Sequence, residues 1–316
     1  MPGVGGSPLN PLRGIVPPLV TPLRDRDALD EAGLERLLEH TLAGGVHGVF
    51  LLGTTGEAPS LSHRLRGELV DRACRQVAGR VPVLVGITDT SFVESVALAE
   101  RAAKAGANAV VVSAPYYFPA GQPELAEYLE HLVAELPLPA LLYNIPTHTK
   151  VMFELETLRR ALQMTRVVGL KDSSGDMVYF QQALRLVQAR PDWSVLMGPE
   201  ELLAQALALG AHGGVYGGAN LVPRLFAELY RAATEGDSER VARLNAQVLK
   251  LAETVYAVGR HPSRLIKGLK CALSLLGLCD DFMAEPFRRF RAPERGTVRR
   301  HLTDLGLLTV DTGGFR

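Results

Sequence analysis

Cysteine is scarce in this chain: Cys74, Cys271 and Cys279 are the only three in 316 residues, and no two have the CxxC spacing. An odd, widely spaced set argues against a disulfide framework or a thiolate zinc site, and buried reduced thiols are expected. Charge of either sign is also missing in net terms. The 34 Lys and Arg cancel the 34 Asp and Glu, which leaves no basic field for nucleic acid or anionic lipid and suits a small neutral or acidic metabolite. No apolar run reaches the length that spans a bilayer. The opening Met1-Pro-Gly-Val-Gly-Gly-Ser-Pro8 lacks the charged and apolar regions of a secretion signal, so no membrane partner and a cytoplasmic location are expected. The 8 histidines show no HxxxH or similar ligand spacing, which counts against a metal site and metal-dependent chemistry.

What the chain has is apolar content, 47% of it, arranged in short continuous runs that alternate with segments of helical period. The runs Gly14–Val20, Val46–Leu52, Val81–Ile87, Ala109–Ser113, Ala140–Asn144, Arg166–Lys171, Ser194–Gly198 and His212–Tyr216 read as strands buried on both faces. Helical patterns over 29–43, 61–77, 91–105, 123–135, 155–163, 178–188 and 202–209 separate them, and an eighth covers 223–233. Eight such units predict an α/β fold of the (β/α)8 barrel type over residues 14–235, with an open doubly wound sheet as the alternative. Residues 1–13 read as a flexible Gly- and Pro-rich tail. Three more helical patterns, 239–258, 263–276 and 297–307, predict a helical appendage over 236–308, followed by a short tail, 309–316.

The anomaly is Lys171, in Arg166-Val-Val-Gly-Leu-Lys171-Asp-Ser-Ser-Gly-Asp176. An ammonium walled in by apolar neighbours must find a partner or lose its proton, and a buried neutral amine condenses with ketones to give Schiff bases. The plainer expectation is a lysine that reaches the strand's mouth and pairs with Asp172. In a barrel, chemistry gathers at the carboxyl ends of the strands. There the chain places Gly53-Thr-Thr-Gly-Glu57, Ser113-Ala-Pro-Tyr-Tyr-Phe118 and Tyr143-Asn-Ile-Pro-Thr-His148. Thr54 and Thr55 read as a capped turn or as a carboxylate pocket of N–H and O–H groups. Tyr143 reads as a core tyrosine or as a proton shuttle to the lysine.

These motifs, in this order and spacing, resemble the dihydrodipicolinate synthase/N-acetylneuraminate lyase family over about residues 14–308. Members are (β/α)8 enzymes, usually homotetramers built as dimers of dimers. They bind pyruvate or a longer 2-oxo acid as a Schiff base and make or break a carbon–carbon bond with an aldehyde, without metal or organic cofactor. The resemblance implies Lys171 as the Schiff-base lysine, Tyr143 as the proton shuttle and Thr54 as the relay hydroxyl. It implies Thr55 as the holder of the pyruvyl carboxylate, Tyr117 as the relay tyrosine that a neighbouring subunit supplies, and Val215 as the residue whose carbonyl faces the imine.

The departures bear on substrate. Lysine-pathway synthases that resemble this chain carry an arginine two residues after the proline of Tyr-Asn-x-Pro, where this chain has His148. A histidine gives no forked donor and is not held charged at neutral pH. N-acetylneuraminate lyases typically have serine where this chain has Thr54, and Tyr216-Gly-Gly-Ala-Asn220 replaces the small hydroxyl residues common there. The expectation is a roomy, hydroxyl-reading pocket for a 2-oxo-3-deoxy sugar acid or related hydroxy-2-oxo acid. The alternatives are 4-hydroxy-tetrahydrodipicolinate synthase and a non-catalytic 2-oxo-acid-binding homologue. Gly213-Gly and Gly217-Gly leave open a weak suggestion of phosphate binding, against which stands tight packing.

Overall fold

A computed structural model describes residues 11–309. Eight parallel strands form one sheet, β1 (Gly14–Ile15), β4 (Val49–Leu51), β5 (Val83–Gly86), β6 (Ala109–Ser113), β7 (Ala140–Asn144), β8 (Val167–Asp172), β9 (Ser194–Met197) and β10 (Gly213–Gly214). They pair in the order β1-β10-β9-β8-β7-β6-β5-β4. The remaining edges meet where Pro18 bridges Phe50 in parallel register, with Leu19 N–H donating to the Phe50 carbonyl at 2.8 Å and Phe50 N–H to that of Pro17 at 2.9 Å. The sheet curls into a TIM barrel. Helices α1 (Glu31–Ala43), α2 (His63–Val77), α3 (Phe92–Ala105), α4 (Gln122–Glu135), α6 (Leu155–Ala161), α7 (Met177–Val187), α8 (Leu203–Ala208) and α9 (Pro223–Glu235) follow the strands. Helices α10 (Ser238–Glu253), α11 (Arg264–Leu275) and α12 (Ala292–Asp304) form the C-terminal part.

The continuous apolar runs divide between two compartments. Phe50, Leu84, Ala109, Val111, Leu141, Tyr143 and Leu196 fill the barrel interior. The residues between them, among them Val49, Leu51, Val110, Val112, Leu142 and Val195, pack outward against the helices. A two-residue period thus persists inside runs that look uniform, because both faces are apolar. Helix starts are locally encoded. Asp30, Ser62, Asp176 and Asp237 accept backbone N–H groups at the first turns of α1, α2, α7 and α10.

Several local readings change. The first strand is two residues long, since Pro17 and Pro18 donate no ladder bonds. A small antiparallel hairpin, β2 (Leu23–Asp25) with β3 (Ala28–Leu29), and the one-turn helix α5 (Pro146–Thr149) were not expected. Helix α12 begins five residues before the expected start, because Pro293 sits in the first turn, where its missing N–H costs nothing. Of the expected tails, residues 1–10 and 310–316 lie outside the described residues, whereas Leu12 packs into the barrel interior. No helix among the described residues is long and apolar enough to cross a membrane.

Candidate active site

Strands β7 and β8 pair with Tyr143 opposite Lys171. The register skips Val168, with Ala140 opposite Val167 and Leu141 opposite Gly169. This bulge sets Leu170 toward the helices and Lys171 toward the interior. Lys171 is 5% exposed. Its Nζ lies 3.7 Å from the Tyr143 ring centroid and 5.4 Å from that of Phe50. The expected pairing with Asp172 does not occur. Asp172 faces away and accepts from Asn144 Nδ2 at 2.8 Å, from Ser174 N–H at 3.2 Å and from Ser174 Oγ at 3.0 Å. Its carboxyl is pushed up by burial, against which these bonds pull it down. Among the described residues Lys171 has no ion-pair partner.

Tyr143 connects the lysine to the loop after β4, its hydroxyl 3.3 Å from Thr54 Oγ1. Burial alone would push the Tyr143 hydroxyl up. The Lys171 charge and the Thr54 contact outweigh burial, so the phenol lies below its ordinary range. The loop is tightly turned: Leu52 and Glu57 both adopt left-handed backbone, φ 59° and 57°, conformations that persist only where surroundings enforce them.

What enforces the loop's end was missed in the sequence. Glu57 and Lys270 are both fully buried and pair at 2.5 Å. Lys270 also donates to the Phe282 carbonyl at 2.6 Å, and Glu57 accepts the Ala284 N–H at 2.9 Å. The available signal was a lysine inside the apolar stretch Gly268-Leu-Lys-Cys-Ala-Leu273.

Thr54, Tyr143 and Phe50 line a cavity of about 600 Å³, together with His148, Tyr116, Ser60, Thr88 and Ser113. Its far wall, His261, Pro262, Ser263, Ile266 and Phe287, comes from the C-terminal part. No arginine or lysine is among the lining residues. His148 Nδ1 is 3.0 Å from Thr147 Oγ1. Burial first, and the Lys171 charge second, push its imidazole toward the neutral form. A depression of similar size, about 620 Å³, between α1, α9 and α10 carries none of the residues singled out from the sequence.

Thr55 and Val215 are buried beside the cavity, Val215 in the interior cluster with Phe50 and Tyr143. Tyr117 is not part of it. That side chain is 72% exposed and packs edge-on against the equally open Phe118, their ring centroids 5.0 Å apart. The expected role of Tyr216 and Asn220 in the pocket is corrected. Tyr216 is fully buried and stacked on Phe226 at 5.7 Å, and Asn220 is spent on Val20 N–H and the Pro18 and Gly217 carbonyls. The glycines before Tyr216 serve packing. A Cβ on Gly213 would stand 1.9 Å from the Gly14 carbonyl oxygen.

The model of the dihydrodipicolinate synthetase family matches residues 11–305. The chain belongs to that family. It is 37% identical to an uncharacterized DapA-like lyase of Halobacterium salinarum, over 96% of this chain and 97% of the relative. To the 4-hydroxy-tetrahydrodipicolinate synthase of Phenylobacterium zucineum it is 32% identical, over 94% and 98%. Among solved structures, dihydrodipicolinate synthase of Bacteroides thetaiotaomicron superposes with a TM-score of 0.91 at 55% identity, covering 93% of this chain and 99% of that one. A prophage protein of the family from E. coli K12, solved with pyruvate, gives a TM-score of 0.89 at 27% identity, over 94% and 100%. Family membership makes this chain a lyase, and the convergence of Lys171, Tyr143 and Thr54 is where its chemistry is sought.

Proposed function

We infer that the chain is a Schiff-base aldolase that joins or separates pyruvate, or another 2-oxo acid, and an uncharged hydroxylated aldehyde. The observation that carries this reading is Lys171, enclosed against the ring of Tyr143 with no counter-ion among the described residues, and Tyr143's hydroxyl meets Thr54. In the proposed mechanism the Lys171 amine attacks C2 of the 2-oxo acid. Tyr143, relayed by Thr54, delivers and removes the protons that turn the carbinolamine into an imine. The protonated imine accepts the electron pair of the C3–C4 bond as it breaks, while Tyr143 takes the C4 hydroxyl proton. An enamine of pyruvate and a free aldehyde result, and condensation is the reverse.

Thr55 and the Val215 carbonyl are assigned to the pyruvyl carboxylate and the imine. Tyr117 is assigned to a neighbouring subunit's relay in a homotetramer, which fits its exposure in the single chain. Mixing inactive Tyr117→Phe and Lys171→Ala chains should then restore activity through hybrid sites, and a fully active monomer in sedimentation would refute the sharing.

The aldehyde assignment rests on the cavity wall, which offers hydroxyls and two imidazoles but no guanidinium or ammonium for a second carboxylate. The names of relatives favour a second reading, 4-hydroxy-tetrahydrodipicolinate synthase. Turnover with pyruvate plus a panel of aldehydes separates the two, since preference for aspartate semialdehyde over every hydroxyaldehyde would establish the second. The shared chemistry is tested by borohydride in the presence of pyruvate. One reduced pyruvyl adduct per chain, on Lys171, is expected. No adduct, or one that survives Lys171→Ala, ends the Schiff-base reading.

A further inference from the structure

Across the turn that follows β10 lies a second buried carboxyl. Glu200 opens the short 3-10 turn after β9 and is almost fully enclosed. One oxygen, Oε2, accepts the Gly218 N–H at 2.9 Å. Among the described residues the other oxygen, Oε1, and the buried hydroxyls of Tyr216 and Tyr256 make no well-formed hydrogen bond, although the Tyr256 phenol lies close enough to favour the charged carboxylate. A Cβ built on Gly217 would stand 4.0 Å from Glu200 Oε2 and 3.9 Å from Thr55 Oγ1. Glu200 and the residue assigned to the substrate carboxylate therefore both border Gly217.

Among the described residues no cation acts on Glu200; helix α10 packs on this turn, but none of its charged groups, Glu239, Arg240, Arg243, Lys250 and Glu253, does so. The groups that face it are the phenols of Tyr216 and Tyr256 and the neighbouring carboxyl of Glu201. Helix α11 packs on the same turn through Leu269, but its Lys270 is committed to Glu57. On α1, His40 is engaged by the Leu221 carbonyl at 3.1 Å. A substrate carboxylate held at Thr55 would lie on the other side of Gly217 from Glu200, and two ionised carboxylates that near, with no cation between them, disfavour one another.

We propose that Glu200 is a proton-holding residue that governs 2-oxo-acid binding: the site accepts the substrate carboxylate when Glu200 is protonated and resists it when Glu200 is ionised. This rests on Thr55 as the carboxylate holder. Burial pushes the Glu200 carboxyl up to about 7, while the Gly218 N–H and Tyr256 pull it back and Glu201 adds to the rise. The protonated form is thus available at working pH, and by linkage a bound 2-oxo acid draws a proton from solvent onto Glu200. Tyr143 and His148 also face the substrate, so the pH dependence of binding is a sum, and only a comparison with a Glu200 variant isolates this component.

The experiment is calorimetric titration of pyruvate into the intact protein and into Glu200→Gln, at pH 6 and pH 8, each in two buffers of different ionisation heat. The amide oxygen of the variant still accepts the Gly218 N–H, but nothing there titrates. Wild-type affinity is expected to fall about tenfold more than the variant's between the two pH values, with proton uptake near pH 7 that the variant lacks. An equal pH dependence in the two proteins, or equal proton uptake, overturns the proposal. Tyr256→Phe provides a second test should the glutamine variant not fold. Loss of a hydroxyl that favours the ionised form should move the midpoint of pyruvate affinity to higher pH, and an unmoved midpoint also overturns the proposal. If wild-type protein binds no pyruvate at either pH, the 2-oxo-acid reading itself falls.

Discussion

Among the described residues two lysines are buried, Lys171 in the barrel and Lys270 on helix α11, and their surroundings are opposite. Lys270 is enclosed with a carboxylate 2.5 Å away and a backbone carbonyl at 2.6 Å, so its charge is answered on two sides. Lys171, nearly as enclosed, faces the rings of Tyr143 and Phe50 and pairs with no carboxylate among the described residues. Burial alone therefore does not mark a reactive amine. A buried lysine with an anion is a fastener whose charge is fixed in place, while one without is left free to change its bonding, which imine chemistry requires. Neighbouring groups fit the same division: Tyr143, beside the unpaired lysine, has its phenol drawn below the ordinary range.

The contrast can be broken most severely at Lys171. Replacing it with Met removes no partner's charge, so the fold should be kept, with an unfolding midpoint within error of the parent, while borohydride trapping and turnover vanish together. Tyr143→Phe comes next, with turnover expected to fall about 10²- to 10⁴-fold, the range of a lost general acid–base group, and adduct formation slowed rather than abolished. Lys270→Met should give the converse result. It leaves Glu57 buried and unpaired, at a cost of about 3–5 kcal/mol in denaturant unfolding. Adding Glu57→Gln to it should recover much of that loss, and if it does not, the pair is not the fastener described. The smallest effect is expected at His148, where arginine would bring a cation to a cavity wall that has none. A charge-assisted contact of about 1.5–3 kcal/mol should improve relative use of aspartate semialdehyde about 10- to 150-fold, read from kcat/KM on both aldehydes.

The barrel was legible because each buried strand announces itself locally. A run such as Ala109-Val-Val-Val-Ser113 is bounded by turn residues and needs no distant partner to be recognised. Lys171, Tyr143 and Thr54 stand out in the sequence for a related reason, since each closes such a run in a motif of fixed order. What escaped depends on contacts between remote parts of the chain. Glu57 is visible in its motif, but its partner lies 213 residues away, and nothing near Lys270 points back to it. Tyr216 reads as a pocket residue because it ends a predicted strand, 212–216. The chain turns directly after Gly214, however, and its ring goes into the helical layer against Phe226. Glu200 escaped as well, because a carboxyl in Pro199-Glu-Glu-Leu202 looks like an ordinary solvated helix start.

The Glu57–Lys270 pair also has a consequence for synthesis. A chain emerging from the ribosome has made every barrel strand by Gly214, yet at that stage Glu57 has no cation and the cavity lacks its far wall of His261, Ser263 and Phe287. The loop after β4 therefore lacks this anchor until helix α11 has been translated and docked. A nascent barrel remains an unfinished enzyme, and a chain interrupted before Lys270 would retain Lys171 without the support beneath the loop that brings Thr54 within reach of Tyr143.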